Sequence, residues 1–332
     1  MKGNVLVGQS GGPTAVINSS LAGVFKTAKE RGYQKVYGMR FGIQGFLDEQ
    51  YVDLSDYIRN ELELELLKRT PSAFLGTCRY KLPEIHEDKE VFDKVFALLD
   101  KLDIEVFIYI GGNDSMDTIR KLSDYALLTG AKQRFVGCPK TIDNDLPLPE
   151  GVPTFGFETA RAFGTMEIEN LMEDASTTNN RWYFTIAMGR TAGHLALGMG
   201  RSAGAAITII PEEFSQKKIP LQQVVDVIVG SIVKRYLTGR NYGVAVIAEG
   251  GIEKDFAKLG NVVTDEHGHI RYSELDFGEI IKQAVLAETK KLGITISVID
   301  KEIGYELRCT APIAYDIDYC RSLGYSAVKF LM

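Results

Sequence analysis

The densest chemistry in the chain lies in Pro139-Lys140-Thr141-Ile142-Asp143-Asn144-Asp145. Asp143 and Asp145 stand at i and i+2, with the Lys140 ammonium three residues before the first of them. In such a site one carboxylate takes a proton from a hydroxyl while the other orients a metal ion or a sugar. An Asx-rich surface turn is the alternative for the same residues. Met188-Gly189-Arg190 adds a planar guanidinium suited to phosphate, or else a plain surface arginine. Glu249 is a further carboxylate that could hold a sugar hydroxyl.

Two glycine-rich segments offer anion sites. In Gly8-Gln9-Ser10-Gly11-Gly12-Pro13-Thr14 the glycines let backbone N–H groups approach an anion. The competing reading is a tight strand–helix turn. No Gly-Lys-Ser/Thr follows and the spacing is not GxGxxG, so neither a P-loop nor a dinucleotide fingerprint is present. In Gly111-Gly112-Asn113-Asp114-Ser115-Met116 a diglycine precedes oxygen-bearing side chains, which suits phosphate with Mg²⁺ because Mg²⁺ prefers oxygen ligands. Helix capping by Asn113 or Asp114 would explain one of those residues but not the diglycine.

These residues need elements that bring them together. Short apolar runs at 4–7, 35–39, 106–110, 135–138, 182–187, 206–210 and 243–248 read as buried strands. Helical spacing is found at 17–28, 91–102, 159–177, 221–237, 277–292 and 316–331. Strands alternating with helices predict an α/β fold with parallel sheets covered on both faces. Ligands of such sheets bind outside the carboxyl ends of the strands, where every segment above falls. The pattern divides into two Rossmann-like, doubly wound domains, 1–158 plus 309–332 and 159–308, with the active site expected in the cleft between them.

The bulk properties narrow the class. The 332 residues are 45% hydrophobic and 25% charged, enough to bury a core without a stapling device. A net charge of −6 gives no overall field favouring nucleic acid. No run approaches the roughly 18 apolar residues of a membrane span, and the N-terminus is too poor in apolar residues for a signal peptide. Cys78, Cys138, Cys309 and Cys320 form no CxxC pair or zinc spacing. Free thiols in a reducing cytoplasm are therefore expected. His267 and His269 sit in a polar segment that reads as a solvated turn.

The order of the motifs resembles the phosphofructokinase family. The resemblance rests on Gly11-Gly12, Leu75-Gly76-Thr77-Cys78-Arg79, Gly111-Gly112-Asn113-Asp114-Ser115, the Pro139–Asp145 run and Met188-Gly189-Arg190, and covers nearly the whole chain. It implies that Asp143 is the base for a sugar 1-hydroxyl, that Asp145 supports it and the metal, and that Thr141 binds the substrate. Gly11, Gly12, Arg79, Gly112, Asp114 and Lys140 would hold the phosphoryl donor. Met188, Gly189, Arg190, Glu249, Tyr305 and Arg308 would line a fructose 6-phosphate pocket. Arg181 would reach the sugar phosphate of a neighbouring subunit, and Arg308 would lie near that boundary. A homo-oligomer, dimer or tetramer, is implied.

Members using ATP carry glycine where this chain has Asp114 and Lys140. An aspartate there adds bulk and negative charge where a nucleotide's α-phosphate would lie. Asp114 and Lys140, with Gly304-Tyr305-Glu306-Leu307-Arg308, resemble the pyrophosphate-dependent branch. An ATP donor, sedoheptulose 7-phosphate as acceptor, and a non-catalytic phosphosugar-sensing subunit are the rivals. Two departures stand out. The family's metal-associated aspartate is Asn113 here, so Asp114, Asp143 or water carries more of the contact with the Mg²⁺ cofactor. The His-x-x-Arg-Gly-Gly stretch of bacterial ATP enzymes is replaced after Arg308 by Cys309-Thr310-Ala311-Pro312. Family members also continue beyond the point where this chain stops, inside a predicted helix.

Overall fold

The computed structural model describes residues 3–189, 192–215, 219–250 and 277–331. Arg190, His267 and His269 lie outside the described residues. The chain forms two compact units. The first comprises Met1–Ile142, Glu150–Thr159 and Arg308–Met332, the second Asp143–Pro149 and Ala160–Leu307.

The first unit is built on a five-stranded sheet. Its strands are β1 (Asn4–Gln9), β2 (Val36–Met39), β3 (Tyr51–Asp53), β4 (Ile104–Gly111) and β5 (Arg134–Pro139), in the order β3-β2-β1-β4-β5. β1 and most of β4 are buried, as expected of central strands covered on both faces. All pairings are parallel except β2 with β3, which run antiparallel at one edge. Helices α1 (Ile17–Glu30), α2 (Gly42–Leu47), α3 (Glu61–Arg69), α4 (Lys89–Lys101) and α5 (Asn113–Thr129) connect these strands.

The amphipathic run predicted at 316–331 is α10 (Ala314–Phe330), which packs on α1. Two glycines allow the close crossing. A Cβ on Gly23 would collide with the Arg321 carbonyl, and one on Gly324 with the Ser20 carbonyl. The Ser20 hydroxyl donates to the Cys320 carbonyl at 2.8 Å. α10 also supplies Asp316, fully buried, which accepts from the N–H and hydroxyl of Thr159 at 2.6 Å each and from the Gly156 N–H at 3.2 Å. Asp316 thus caps the start of α6 (Phe157–Thr177) from a distant part of the chain. Burial pushes its carboxyl pKa up, against the hydrogen bonds from Thr159 and Gly156.

The second unit has four parallel strands in the order β7-β8-β6-β9: β6 (Arg181–Ala187), β7 (Ile207–Ile209), β8 (Gly243–Ala248) and β9 (Ser297–Ile303). Its helices are α7 (His194–Ala203), α8 (Leu221–Leu237) and α9 (Phe277–Lys291), together with most of α6. Trp182, Phe184 and Ile186 on β6 pack with Ile228 and Ile232 of α8 and Ile281 and Val285 of α9. β9 escaped the sequence reading because its residues Asp300, Lys301 and Glu302 break the apolar run of a buried strand. β9 lies at the sheet edge, where one side can stay wet.

Candidate active site

In the first unit the carboxyl ends of β1, β4 and β5 converge on one corner. Gly11 follows β1 with φ of +76°, a left-handed conformation that favours glycine. Lys140, directly after β5, donates its ammonium to the Gly12 carbonyl at 2.6 Å and its N–H to the Gly111 carbonyl at 2.8 Å. A Cβ at Gly11 would stand 3.3 Å from Lys140 Nζ, and one at Gly12 would stand 3.3 Å from Arg308 Nη1. Two cations therefore flank one diglycine loop.

Gly112 caps α5 with ordinary φ and ψ of −78° and −162°, and no side chain closes the helix end. The capping role considered for Asn113 or Asp114 is thus not realised; both are exposed in the first turn. A Cβ at Gly112 would meet nothing nearer than the Lys140 carbonyl at 3.9 Å, so neither backbone nor packing demands glycine there. What remains is room beside a helix N-terminus whose first N–H groups have no intrahelical acceptor, a natural anion site.

The loop after α3 that carries Arg79 meets the same corner through Cys78. Cys78 is pinned through its carbonyl, which accepts from the Ser10 hydroxyl at 3.2 Å and the Gly11 N–H at 3.4 Å. The Gly11 N–H, expected to face an anion, is turned to Cys78 here. Upstream, Gln9 and Asn18 form a sealed polar knot. Gln9 Nε2 donates to Asn18 Oδ1 at 2.9 Å, the Leu75 N–H donates to Gln9 Oε1 at 2.9 Å, and the Phe74 N–H donates to Asn18 Oδ1 at 2.8 Å. Asn18 Nδ2 closes the knot on the Thr70 carbonyl at 2.9 Å. Downstream, the ammonium of Lys121, 1% exposed, donates to the Leu82 carbonyl at 2.7 Å and pairs with Asp117 at 2.8 Å and Glu84 at 3.0 Å. Burial draws this lysine's pKa down, but the two carboxylates outweigh it and hold it above the ordinary value. The Arg79 loop is thus anchored on both sides while Arg79 itself stays exposed.

None of Gln9, Asn18 and Lys121 was singled out from sequence. A readable signal existed for Lys121. It shares a helical stripe with Ser115, Thr118, Leu122 and Tyr125, and Asp117 stands four residues before it.

In the second unit the carboxyl ends of β6, β8 and β9 gather the expected sugar-side residues. The Met188 N–H donates to the Ile303 carbonyl at 3.0 Å, and the Glu249 N–H to the Ala187 carbonyl at 2.9 Å. Gly304 lies beside Met188, and Tyr305 is 60% exposed. A Cβ at Gly189 would stand 2.7 Å from the Ala192 carbonyl, so the bend after β6 needs glycine. Asp143 and Asn144 are half-buried and Asp145 is exposed. Asn144 has φ of +57°, and His194 Nδ1 lies 2.6 Å from its carbonyl oxygen.

Two arginines stand apart from that group. Arg308 is grouped with the first unit, against Gly12. Arg181 opens β6 at its amino end, pairing with Asp174 at 2.7 Å. At about 3.3 Å per residue, the strand separates Arg181 from Met188 by roughly 23 Å. Hydrogen bonds from Tyr183 and Arg181 hold the Asp174 carboxyl below its usual range.

Among the described residues no group of three or more His, Cys, Asp or Glu is placed to hold a metal ion, and no helix is long and apolar enough to cross a membrane. Asn113 and Asp114 are the oxygen donors expected to hold the metal, with Asp143 and Asp145 expected to assist. This is a hard-ligand set that fits Mg²⁺, which takes one or two protein oxygens and completes its shell with phosphate and water.

A diglycine turn flanked by two cations at the strand ends of a largely parallel α/β sheet fits a phosphotransferase. The chain belongs to the phosphofructokinase family, whose sequence pattern, described as Phosphofructokinase, matches residues 4–331. It is 42% identical to a pyrophosphate–fructose 6-phosphate 1-phosphotransferase of Thermotoga maritima over 99% of this chain and 77% of that protein. It is 38% identical to the protein of the same name from Naegleria fowleri, over 99% of this chain and 75% of that one. The solved pyrophosphate-dependent phosphofructokinase of Nitrosospira multiformis aligns with a TM-score of 0.76 at 25% identity, covering 99% of this chain and 76% of that one.

Proposed function

We propose that the chain transfers a phosphoryl group from pyrophosphate to the 1-hydroxyl of fructose 6-phosphate, giving fructose 1,6-bisphosphate and phosphate. The observation that carries the donor assignment is Lys140 Nζ on the Gly12 carbonyl. The lysine fills the corner between the two glycine turns, and Asp114 stands in the first turn of α5. A compact tetra-anion suits this corner better than a nucleotide, whose α-phosphate would meet the Asp114 carboxylate.

Asp143 takes the proton of the sugar 1-hydroxyl, and the resulting oxygen attacks the terminal phosphorus of pyrophosphate. The bridging P–O bond breaks and inorganic phosphate leaves with its electron pair. Lys140, Arg79 and the α5 N-terminus hold the charge of the transferred and departing groups, which is where phosphoryl transfer gains most of its rate. Asp114 and Asn113, with donor oxygens, would hold Mg²⁺, which would supply charge neutralisation. Met188, Gly189, Arg190, Glu249 and Tyr305 bind the sugar, and Arg308 serves the Gly12 side. Thr141 and Asp145 orient the turn and the metal. Because cleaving pyrophosphate to phosphate releases only modest free energy compared with ATP hydrolysis, the reaction is expected to run in both directions.

Arg181 acts in a neighbouring copy of the chain, so the enzyme is a homo-oligomer. The strand length separating Arg181 from Met188 supports this reading. Four free cysteines, three of them buried, agree with a cytoplasmic enzyme.

The test is a donor comparison on purified protein with fructose 6-phosphate and Mg²⁺. Turnover with pyrophosphate and none with ATP is expected. Turnover with ATP alone overturns the donor reading. Turnover only when sedoheptulose 7-phosphate replaces the fructose ester overturns the acceptor.

A further inference from the structure

We infer that His194 is the positioning residue of the Asp143 turn: its Nδ1–H holds the Asn144 carbonyl and so sets the angle at which Asp143 meets the sugar hydroxyl. The inference rests on Asp143 being the base.

Asn144 sits between the two aspartates in a left-handed conformation, φ +57°, which asparagine adopts more readily than most L-residues. His194 Nδ1 lies 2.6 Å from the Asn144 oxygen. A carbonyl only accepts, so Nδ1 carries the proton, which fixes the tautomer of the neutral ring.

The imidazole stands on a firm base. His194 is the first residue of α7, and the N–H of its cap, Gly193, donates to Glu212 Oε1 at 2.7 Å. A Cβ at Gly193 would stand 2.5 Å from Ile210 Cβ and 2.6 Å from Glu212 Oε2, so this close approach requires glycine. Glu212 belongs to the short turn Pro211–Glu213 that follows β7. Its Oε1 also lies 3.8 Å from His194 Nε2, a contact that becomes an ion pair when the ring is doubly protonated. Through His194 the start of α7 therefore reaches the backbone of the Asp143 turn. A displacement of about 1 Å in a reacting group can lower a rate by up to 10²-fold, so a single hydrogen bond at this place has kinetic weight although the ring is 42% exposed.

His194→Ala, His194→Asn and Asp143→Asn are compared for kcat, for both KM values and for melting temperature, with the double variant His194→Ala/Asp143→Asn alongside. His194→Ala is expected to lose about 10- to 100-fold in kcat, the scale of a misplaced reacting group. Its KM values should stay within about twofold and its melting temperature nearly unchanged, because the half-exposed ring makes one hydrogen bond to the turn and only a long contact to Glu212. His194→Asn, whose side-chain amide presents an N–H at the place of Nδ1–H, is expected to recover most of the rate. In the Asp143→Asn background the His194→Ala loss is expected to disappear, since the imidazole acts through that carboxylate. A kcat for His194→Ala within about twofold of wild type overturns the inference, as does equal impairment of the Ala and Asn variants or a full His194→Ala loss persisting without Asp143. Near-normal kcat in Asp143→Asn alone instead overturns the base assignment, and is recognisable as a separate failure.

Discussion

Gln9 Nε2 donates to Asn18 Oδ1 at 2.9 Å with both side chains fully sealed from solvent. This bond joins the end of β1 to the first turn of α1, and the same two amides hold the loop that leads to Arg79. Every polar atom of the knot has a partner, which is the condition under which a buried polar network rigidifies a fold. Asn18→Ala leaves the Phe74 N–H, the Thr70 carbonyl and one Gln9 amide hydrogen without their Asn18 partner. At about 1–3 kcal/mol for each orphaned buried group, a loss of about 3 kcal/mol in urea unfolding is expected. The KM for pyrophosphate should rise more than that for fructose 6-phosphate, because the released loop carries Arg79. Equal changes in the two KM values would place Arg79 outside the donor site.

Gly112→Ala separates folding from binding. The helix-cap position loses up to about 1 kcal/mol on this change, while the unfolded chain loses a similar amount of freedom. Net stability should stay within about 0.5 kcal/mol, because the new methyl meets only the Lys140 carbonyl at 3.9 Å. Turnover should fall about tenfold or more if the space beside the α5 N-terminus belongs to the donor, since a methyl there holds the phosphate off the helix N–H groups. Unchanged kcat/KM for pyrophosphate would move the donor elsewhere.

Much of this architecture was legible in the residue pattern, for identifiable physical reasons. β1 and β4 are continuous apolar runs because both their faces are covered, and the turns that follow them are rich in glycine, lysine and aspartate because strand ends are where ligands bind. β9 was missed since Asp300, Lys301 and Glu302 on an edge strand look like loop. β3 is three residues long and carries too little pattern to read. Gln9 and Asn18 were passed over because a buried amide is distinguishable from a surface one only by its partners, and those partners are backbone groups 52 to 66 residues away in sequence. His194 was invisible for the same reason: its acceptor, the Asn144 carbonyl, exists in every residue and has no sequence signature.

Lys121 makes the enzyme's stability depend on alkaline pH. Its folded-state pKa is raised above the ordinary lysine value of 10.5. The stabilisation from its contacts with Asp117, Glu84 and Leu82 is therefore fully present below that value and is lost as pH rises through the folded pKa. Lys121→Met should lower stability at neutral pH by about 1–3 kcal/mol through the unmet Leu82 carbonyl and the lost charge pairs. It should also flatten the decline of melting temperature at high pH relative to wild type. Parallel alkaline curves for the two proteins would show that other groups control that limb.

Arg181 offers the sharpest test of a shared site. It stands at the opposite end of β6 from Met188, and its ion pair with Asp174 is largely solvated, so its removal should cost little stability. If it serves the sugar phosphate of a neighbouring copy, Arg181→Ala should raise the KM for fructose 6-phosphate while leaving that for pyrophosphate nearly unchanged. Asp143→Asn should lose about 10²-fold or more in kcat, the usual scale of a missing base. Mixed oligomers of these two variants then contain sites of two kinds. One kind carries both defects and the other carries neither. For randomly assorted isologous dimers, about a quarter of the wild-type sites should reappear after co-refolding. Recovery of kcat towards that level, with wild-type KM, would show that Asp143 and Arg181 of one working site come from different copies. Confirmed hybrid oligomers with no recovery would overturn the reading in which Asp143 and Arg181 of one working site come from different copies.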